Sequence, residues 1–420
     1  MLLEFRVKNY RSLRDEQVLT LVAAKDTTLQ ALNTTPSGIK AAPTLLRSAV
    51  IYGPNAGGKS NLIKALQYMR AVVAESASVM QPGQTFAVQP FLLDAVSRTQ
   101  PTEFEVTFAL EGVRHQYGFA LTAERITHEY LLVYKAFKPQ QWFTRRYDPA
   151  TGQDGYEFGS SLKGSKSVWE SATRPNALFL SMAVQLNSTQ LHPVFDWFVN
   201  RLVILNDLTP LSPTFTVEML RKPAGKHAIC SFLTAADISL ADIEVVTRTE
   251  SGPTLHFDLA VGKSELRQEE REVNELRFHH VTPQGQAVFS LGDESMGTRN
   301  LLFLTGPILD ILEKGLTLVI DELDTSLHPH LVRRLVELFH NPKLNTRGAQ
   351  LIFTTHDTSL QDLDLFRRDQ IWFVEKDPDQ ASRLYPLSDF SPRKHEALQR
   401  SYLIGRYGAL PFFSDWERPH

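Results

Sequence analysis

The sequence predicts an α/β fold whose core sheet is assembled from two distant parts of the chain. The first part places a strand, a glycine-rich loop and a helix in succession in "LRSAVIYGPNAGGKSNLIKALQYMRAVVAES". The second part begins near residue 288 and contains two buried strands with polar ends, "LTLVIDE" and "AQLIFTTHD". Neither part has enough strands to bury a sheet alone, so we expect the two parts to pair.

Side-chain periodicity predicts the elements of the first part. The segment "LEFRVKN" alternates apolar and polar residues and predicts a strand, and "QVLTLVA" predicts a second short strand. Apolar residues recur at helical spacing directly behind the glycine loop, which predicts that this loop opens a helix. These residues are Leu62, Ile63, Leu66, Met69 and Val73.

The middle of the chain has a different pattern. From about residue 84, the alternating runs "FEVTFALE", "HQYGFALTA" and "HEYLLVYKAF" predict an antiparallel sheet with one face in solvent. Between about 165 and 245 the pattern is mixed and mostly helical. The charged stretch "KSELRQEEREVNELRFHH" that follows predicts a solvated face, on either a helix or a hairpin.

The composition is that of an ordinary globular protein, with 42% hydrophobic residues, 22% charged residues and a formal net charge of -3. No overall basic excess favours nucleic acid as a partner. The single cysteine, Cys230, excludes an internal disulfide and predicts a small buried side chain. No apolar run reaches the ~20 residues that cross a bilayer, so we expect a cytoplasmic protein without membrane contact.

The octet "GPNAGGKS" has the G-x-x-x-x-G-K-[ST] spacing of a phosphate-binding loop (P-loop) in the required strand–loop–helix setting. Its glycines let backbone N–H groups point at a β-phosphate, Lys59 reaches the β and γ oxygens, and Ser60 can bind Mg²⁺. No Asn-Lys-x-Asp guanine motif is present, so ATP with Mg²⁺ is expected. The candidate nucleotide-binding residues are Gly53, Asn55, Gly57, Gly58, Lys59, Ser60 and Asn61.

Two further strands end in chemically useful side chains. In "LTLVIDE", Asp321 is expected to hold Mg²⁺ and Glu322 to polarise the water that attacks the γ-phosphate. The alternative is a pair of acids that caps the next helix. His356, at the end of "LIFTTH", is expected to hydrogen-bond the γ-phosphate and orient the water, the alternative being an ordinary surface histidine.

The segment "LGDESMGTRN" predicts a second anion site. Ser295 and Gly297 stand just before or within the first turn of a predicted helix, whose N–H groups attract negative charge. One chain does not need two γ-phosphate sites for the same nucleotide. We therefore expect this segment to serve a second copy of the protein.

These motifs together resemble the ABC-type ATPase heads of the chromosome-maintenance and recombination (SMC-like) class. Within that class, the chain is most similar to short bacterial AAA family ATPases related to overcoming-lysogenization-defect nucleases and to abortive-infection systems. The resemblance rests on "FRVKNYRSL", "GPNAGGKSNLIKAL", "ESMGTR", "VIDELDTSLHP" and "FTTHD", and it covers nearly the whole chain.

The resemblance implies several residue roles. Ser295 and Gly297 would contact the γ-phosphate bound by the opposite subunit, and Asp324 would lie on the dimer seam. Arg11, in the Asn-x-Arg-Ser turn, would join the nucleotide-binding set, and Gln89 in "VQPF" would be the metal-binding Q-loop glutamine. Met296 departs from the glycine or serine that the family signature usually carries there.

The patterns along the chain also predict a domain organisation. We expect a split core, with a β-rich subdomain and a mostly helical insertion between its halves. The expected segments are residues 1–83 (first core half with the P-loop), 84–164 (β-rich subdomain), 165–287 (helical insertion), 288–390 (second core half) and 391–420 (C-terminal extension).

Three functions remain open on the sequence. The first is a dimeric or higher-order ATPase switch in anti-phage defence that controls a separately encoded effector such as a TOPRIM-type nuclease. The second is mainly a sensor and scaffold with slow ATP turnover, and the third is a DNA-repair ATPase head that binds DNA directly. Only "DPD" at 377–379 has the Asp-x-Asp spacing of a nuclease, and Pro378 predicts a loop there, so we expect no nuclease site.

Overall fold

The computed structural model describes residues 1–205, 213–258, 263–325, 327–392 and 396–410. The chain divides into two compact units, which are described separately. The first unit contains Met1–Asp207, Ile311–Asp324 and Val332–His420, and the second contains Leu208–Asp310 and Thr325–Leu331.

The β-strands are numbered in chain order. They are β1 (Leu2–Lys8), β2 (Gln17–Thr20), β3 (Thr34–Pro36), β4 (Thr44–Leu46), β5 (Ser48–Tyr52), β6 (Thr102–Leu110), β7 (Val113–Leu121), β8 (Ile126–Tyr134), β9 (Gln140–Asp148), β10 (Gln153–Phe158), β11 (Leu202–Leu205), β12 (Asp242–Asp258), β13 (Lys263–Thr282), β14 (Gly285–Ser290), β15 (Thr317–Ile320), β16 (Gln350–Thr354), β17 (Ile371–Lys376) and β18 (Ser382–Pro386).

The α-helices are numbered in the same way. They are α1 (Gln30–Asn33), α2 (Lys59–Glu75), α3 (Lys166–Ala172), α4 (Phe179–Gln185), α5 (His192–Asp196), α6 (Thr214–Leu220), α7 (Pro223–Ala235), α8 (Met296–Lys314), α9 (Pro329–His340) and α10 (Leu398–Leu403). A π-helical turn covers Trp197–Arg201, and 3₁₀ turns cover Ser97–Thr99, Thr358–Leu360, Arg368–Gln370 and Leu387–Phe390.

A six-stranded sheet in the first unit joins the two distant parts of the chain. Its order is β11-β15-β16-β5-β17-β18, and every neighbouring pair is parallel except β17 with β18. Strand β5, from the first part, lies between β16 and β17, from the second part. All residues of β5, β15 and β16 are buried, as expected for strands covered on both faces. The predicted α/β fold with a split core sheet is confirmed.

A seven-stranded antiparallel sheet forms the β-rich part of the same unit, in the order β10-β9-β8-β7-β6-β1-β2. Its strands β6 to β10 cover the region where alternating runs predict an antiparallel sheet, and β1 and β2 match the two strands predicted near the start. One buried apolar cluster contains residues of this sheet, of the six-stranded sheet and of α2, including Phe5, Phe104, Ile51 and Met69. Helix α2, which follows the glycine loop, is therefore fixed by the core that the two sheets share.

The segment 165–287 is not mostly helical, which corrects the prediction. It contains α3 to α7, but also the core strand β11 and the antiparallel pair of β12 and β13, to which β14 adds a third strand. In β13, Leu276 and Phe278 are buried while Arg277 between them is partly exposed. This alternation is the period of a strand, so the hairpin is the correct one of the two alternatives that the sequence left open for the charged stretch.

No helix in the described ranges is both long enough and apolar enough to span a bilayer.

Candidate functional site

Three adjacent parallel strands bring the sequence motifs to one edge of the six-stranded sheet. Strand β16 lies between β15 and β5, with Phe353 paired with both Ile320 and Val50. The acidic pair follows β15, His356 follows β16, and the glycine loop follows β5. Ligands of open α/β sheets bind outside the carboxyl ends of the strands, so this edge is the candidate nucleotide site.

At two positions of the glycine loop, the backbone accommodates only glycine. Gly58 directly precedes α2 with φ of 117°, and a Cβ atom there would lie 2.2 Å from Ser382 Oγ. At Gly53, a Cβ atom would lie 2.2 Å from the carbonyl oxygen of Val374. The loop is thus packed tightly against β17 and the start of β18, and its N–H groups precede the positive end of a 17-residue helix.

Lys59 is buried and folded back on its own loop. Its Nζ donates to the carbonyl oxygens of Gly53, at 2.8 Å, and Pro54, at 3.2 Å. Burial lowers the pKa of the Lys59 ammonium group, and the nearby carboxylates of Glu322 and Asp321 act in the opposite direction. A phosphate group at this edge would replace the two carbonyl oxygens as the partner of the lysine.

Two serines that the sequence did not single out as site residues support the loop. Ser382 Oγ lies 2.7 Å from Gly57 O and 2.7 Å from Ser12 Oγ, and Asn61 Nδ2 donates to Ser12 Oγ at 2.7 Å. Ser12 belongs to the Asn-x-Arg-Ser turn, so this motif could have indicated that it lies near the site. Ser382 lies 325 positions from Gly57 in the sequence and had no local signal.

Thr354 connects the two acids across neighbouring strands. Its hydroxyl donates to Asp321 Oδ1 at 2.6 Å and accepts the backbone N–H of Glu322 at 2.7 Å. Glu322 has φ of 54°, a left-handed conformation that costs about 1–2 kcal/mol for a residue with a Cβ atom. The hydrogen bonds of Thr354 hold this strained turn, which leaves the Glu322 side chain 52% exposed.

His356 lies beside Glu322, as a pair of water-orienting groups would require. His356 Nε2 is 3.9 Å from Glu322 Oε1, and both side chains are accessible to solvent. The backbone N–H of His356 donates to Asp324 Oδ2 at 3.2 Å. The structure therefore brings Lys59, Asp321, Glu322, Asp324 and His356 to the same edge.

The donor set fits a magnesium ion that arrives with a nucleotide. Mg²⁺ in such sites takes one or two protein oxygens and completes its shell with phosphate oxygens and water. Ser60 in the first turn of α2 and Asp321 directly after β15 are the residues whose oxygens could serve as its protein ligands. In the described ranges, no group of three or more His, Cys, Asp or Glu side chains could hold a metal alone.

Ser295 caps a helix in the second unit. Its Oγ accepts the backbone N–H of Thr298 at 3.1 Å, and α8 begins at the next residue. Ser295 is exposed, and Met296, the residue that departs from the family signature, is 58% exposed. Gly297 lies in the first turn of α8. The predicted role of this segment in binding a phosphate of a second chain stays a prediction.

Arg11 and Gln89 lie next to each other. The backbone N–H of Arg11 donates to the carbonyl oxygen of Gln89 at 2.8 Å, and Arg11 has φ of 50°. The side chain of Gln89 is exposed. Their roles in nucleotide and metal binding, and that of the exposed Asn55, also stay predictions.

The Asp-Pro-Asp sequence forms the turn between β17 and β18. Both of its carboxylates contact one arginine, because Arg14 lies 3.3 Å from Asp377 Oδ2 and 2.9 Å from Asp379 Oδ2. The backbone N–H of Ala381 also donates to Asp377. The carboxylates are thus used to close a hairpin, as the prediction of a loop implies.

A family model described as "AAA domain, putative AbiEii toxin, Type IV TA system" matches residues 48–204 and 234–362. The match covers the glycine loop, the acidic pair and His356. No protein of curated function matches the chain.

Three solved structures that are similar over most of the chain are heads of SMC proteins. The "SMC head domain from Thermotoga maritima" has 15% identity and a TM-score of 0.43, covering 92% of this chain and 98% of that chain. An "SmcHead bound to the C-winged helix domain of ScpA" has 13% identity and a TM-score of 0.39, covering 92% and 97%. A head domain with an extended coiled coil from Pyrococcus furiosus has 12% identity and a TM-score of 0.37, covering 93% and 97%.

Proposed function

The chain belongs to the AAA domain family described as "putative AbiEii toxin, Type IV TA system", and on this premise we propose that it is an ATP-hydrolysing switch that works as a dimer. The observation that supports hydrolysis is the meeting of three motifs at adjacent strand ends. Thr354 ties Asp321 to Glu322, and His356 lies 3.9 Å from the Glu322 carboxylate.

Each residue at the edge has a role in this proposal. The loop N–H groups and Lys59 bind the β- and γ-phosphates, and Ser60 and Asp321 hold Mg²⁺, which neutralises phosphate charge. Glu322 accepts a proton from the attacking water, and His356 hydrogen-bonds the γ-phosphate and orients that water. Gln89 and Arg11 complete the metal- and nucleotide-binding set.

The dimer in this proposal is a sandwich. Ser295 and Gly297 of one molecule contact the γ-phosphate held by Lys59 of the other, and Asp324 lies at the seam. The exposed start of α8 supports this role, because a helix N-terminus with free N–H groups attracts an anion. ATP binding then favours the closed dimer, and hydrolysis opens it.

The output of the switch is a separately encoded effector in a defence system against phage, in the cytoplasm. The family description names the AAA domain itself as a putative toxin of a toxin–antitoxin system, so it supports a partner gene product but does not identify that partner as the effector. A TOPRIM-type nuclease as the effector, and the relationship to overcoming-lysogenization-defect nucleases, remain predictions from the sequence motifs.

Glu322→Gln tests the catalytic assignment. Removing a general base lowers turnover by about 10²–10⁴-fold, while the neutral isostere leaves ATP binding intact and allows the closed dimer to accumulate. Turnover is measured by phosphate release, and dimer by light scattering with and without ATP. Glu157→Gln, an exposed carboxylate on β10, is the matched control. Wild-type turnover in Glu322→Gln would show that another group is the base.

Mixing two inactive variants tests the sandwich. Lys59→Ala and Ser295→Arg each disable both sites of their own homodimer. In the mixed dimer, however, the intact loop of one chain meets the intact helix of the other. Equal mixing should then recover about a quarter of wild-type turnover, because half of the dimers carry one working site of two. Turnover that stays at the level of the separate variants would contradict a shared site.

A further inference from the structure

A second candidate ligand site lies in the first unit, at the end of the seven-stranded sheet. It is a cleft of about 230 Å³ between the turn that joins β3 to β4, the turn that joins β6 to β7, and the loop that joins β8 to β9. None of these segments belongs to the P-loop edge. The cleft is lined by Gly38, Ile39, Lys40, Ala41, Gly112, Arg114, Tyr134, Lys135, Ala136 and Phe137.

The side chains of the cleft are basic and aromatic. Lys40, Arg114 and Lys135 carry positive charge, and none of its described lining residues is acidic. Arg114 Nε is buried and has no hydrogen-bond partner among the described residues. A buried donor without a partner costs free energy, which an anion in the cleft would recover if the guanidinium turned to present Nε to it.

Phe137 supplies an open aromatic surface. It lies in the loop between β8 and β9 and is 77% exposed, more than any other large apolar side chain among those described. A phenyl ring beside three cations is the combination on which a nucleobase stacks while its phosphate is neutralised. A single phosphate or an acidic peptide would not use the ring in this way.

The walls of the cleft are rigid. The guanidinium carbon of Arg114 lies 4.3 Å from the centroid of Tyr134, its partner across β7 and β8, and this contact holds the cation over the ring. On the opposite side, Ile39 N donates to Ser37 Oγ at 2.8 Å, and Ser37 N donates to Pro43 O at 3.0 Å. Gly38 approaches Gly112 so closely that a Cβ atom would lie 3.3 Å from its Cα. The guanidinium of Arg114 and the backbone that carries Lys40 are therefore in place before a ligand binds.

We propose that this cleft binds one nucleotide unit, with its phosphate against Lys40, Arg114 and Lys135 and its base on Phe137. The volume of the cleft limits the ligand to about one nucleotide unit, since sites for larger organic molecules span roughly 300–1,000 Å³. The unit is either a free mononucleotide or a nucleotide of a single strand. The proposal is independent of the ATPase site, because no lining residue belongs to that site.

Binding is measured on the full chain carrying Lys59→Ala, which removes the P-loop as a competing nucleotide site. The two probes are AMP, followed by calorimetry, and a fluorescent oligothymidylate of about six nucleotides, followed by anisotropy. Binding of AMP identifies a free nucleotide as the ligand, and binding of the oligonucleotide alone identifies a strand. Binding of neither probe overturns the proposal.

Variants then locate the bound probe. Lys40→Gln/Lys135→Gln should weaken binding by about tenfold or more at low salt and reduce the salt dependence of the affinity. Phe137→Ala should weaken it by about tenfold through the loss of stacking. All three side chains are exposed, so folding should be unaffected, and circular dichroism checks this. Lys138→Gln, an exposed lysine in the same loop but outside the cleft, is the matched control.

Two results would overturn the site. The first is an affinity that the cleft variants leave unchanged or that Lys138→Gln lowers equally. The second concerns a glutamate peptide of the same charge as the nucleotide probe. If the peptide binds as tightly as that probe, and Phe137→Ala weakens neither, the ring has no role in binding. Failure of Glu322→Gln to stop ATP turnover would leave these binding results unchanged, so the two proposals fail separately.

Discussion

Thr354 and Asp321 are joined across neighbouring strands by a hydrogen bond of 2.6 Å from the threonine hydroxyl to the carboxylate. The same hydroxyl accepts the N–H of Glu322, the residue with left-handed backbone geometry. One side chain between the P-loop strand and the acidic strand therefore orients both acids. It holds Oδ1 of Asp321, and it stabilises the turn that presents Glu322.

We expect Thr354→Val to lower ATP turnover by about 10–100-fold and to raise the Mg²⁺ concentration needed for half-maximal activity. The methyl group that replaces the hydroxyl can neither donate to Asp321 nor accept from Glu322. Thr354→Ser keeps the hydroxyl and should restore most of the activity. Steady-state kinetics over a magnesium titration measures both effects.

Because Thr354 is fully buried, a loss of stability could mimic a loss of positioning. Thermal unfolding of both variants separates the two effects. Thr354→Val with normal magnesium dependence and reduced stability would indicate a purely structural role.

The conformation of Gly58 gives a second prediction. Gly58→Ala adds backbone strain at φ of 117° and a contact of 2.2 Å with Ser382 Oγ. We expect a loss of at least about 3 kcal/mol in the free energy of unfolding, with loss of ATP binding. Gly83→Ala is the matched control, since Gly83 has φ of 79° with no atom within 4 Å of an added Cβ, and it should cost about 1–2 kcal/mol.

Adding Gly58→Ala to Ser382→Gly isolates the strain, because the contact with Ser382 is absent from both proteins and the hydrogen bonds of Ser382 are lost from both. Gly58→Ala should therefore cost less unfolding free energy in the Ser382→Gly background than in the wild type. Chemical denaturation measures these variants, Gly83→Ala and the wild type. Equal costs for Gly58→Ala and Gly83→Ala would mean that the loop relaxes away from Ser382.

His340 gives a prediction about pH. It ends α9 and is buried, with Nε2 2.7 Å from Ser48 Oγ. Gln370 Nε2 donates to the same hydroxyl at 2.8 Å, so the hydroxyl proton is directed at the imidazole, which accepts it as a neutral ring. Burial, and to a smaller extent the positive charge of Arg47, lower the pKa of His340 to about 3.

Below pH 6.5, His340 is therefore protonated in the unfolded chain, whereas in the folded chain it stays neutral down to about pH 3. Between pH 6.5 and about 3 the unfolded state binds more protons, so the free energy of unfolding falls as the pH falls. The contribution of His340 is a loss of about 2 kcal/mol at pH 5 relative to neutral pH. Above pH 6.5 the imidazole of His340 is mostly neutral in both states, so it no longer makes the free energy of unfolding depend on pH.

His340→Gln cannot titrate and should flatten the pH profile of unfolding. It should be less stable than the wild type near pH 7, where a good hydrogen bond is lost, and the difference should shrink toward pH 5. His192→Gln, an exposed histidine replaced in the same way, should keep the wild-type slope. A difference between His340→Gln and wild type that is constant from pH 7 to 5 would contradict the prediction.

The motifs of the site could be predicted because each is local. The glycine loop, the acidic pair and His356 each follow a short buried strand, and this pattern is visible within about ten residues. The residues that support them could not be predicted. Thr354 looks like an ordinary strand threonine, and Ser382 reaches the loop only because β17 and β18 pair beside β5.

The charged stretch in β13 shows why the sequence left a helix and a hairpin open. A strand and a helix whose side chains mostly face water can have the same content of Glu and Arg, so composition does not distinguish them. The pairing of β12 with β13 through seventeen registered positions, from Asp242 with His279 to Asp258 with Lys263, decides between them. Such pairing depends on residues distant in sequence, which local propensity does not contain.

The sequence by itself determined the α/β class, the phosphate-binding loop and the acids and histidine that follow two other strands, because local periodicity and spacing encode them. Only the tertiary structure decided the strand order β15-β16-β5, which places Thr354 between the acids and the loop, and the basic cleft around Phe137. These features depend on hydrogen bonds and packing between segments that are distant in the sequence, and that free energy is shared by the whole fold rather than held in any one segment.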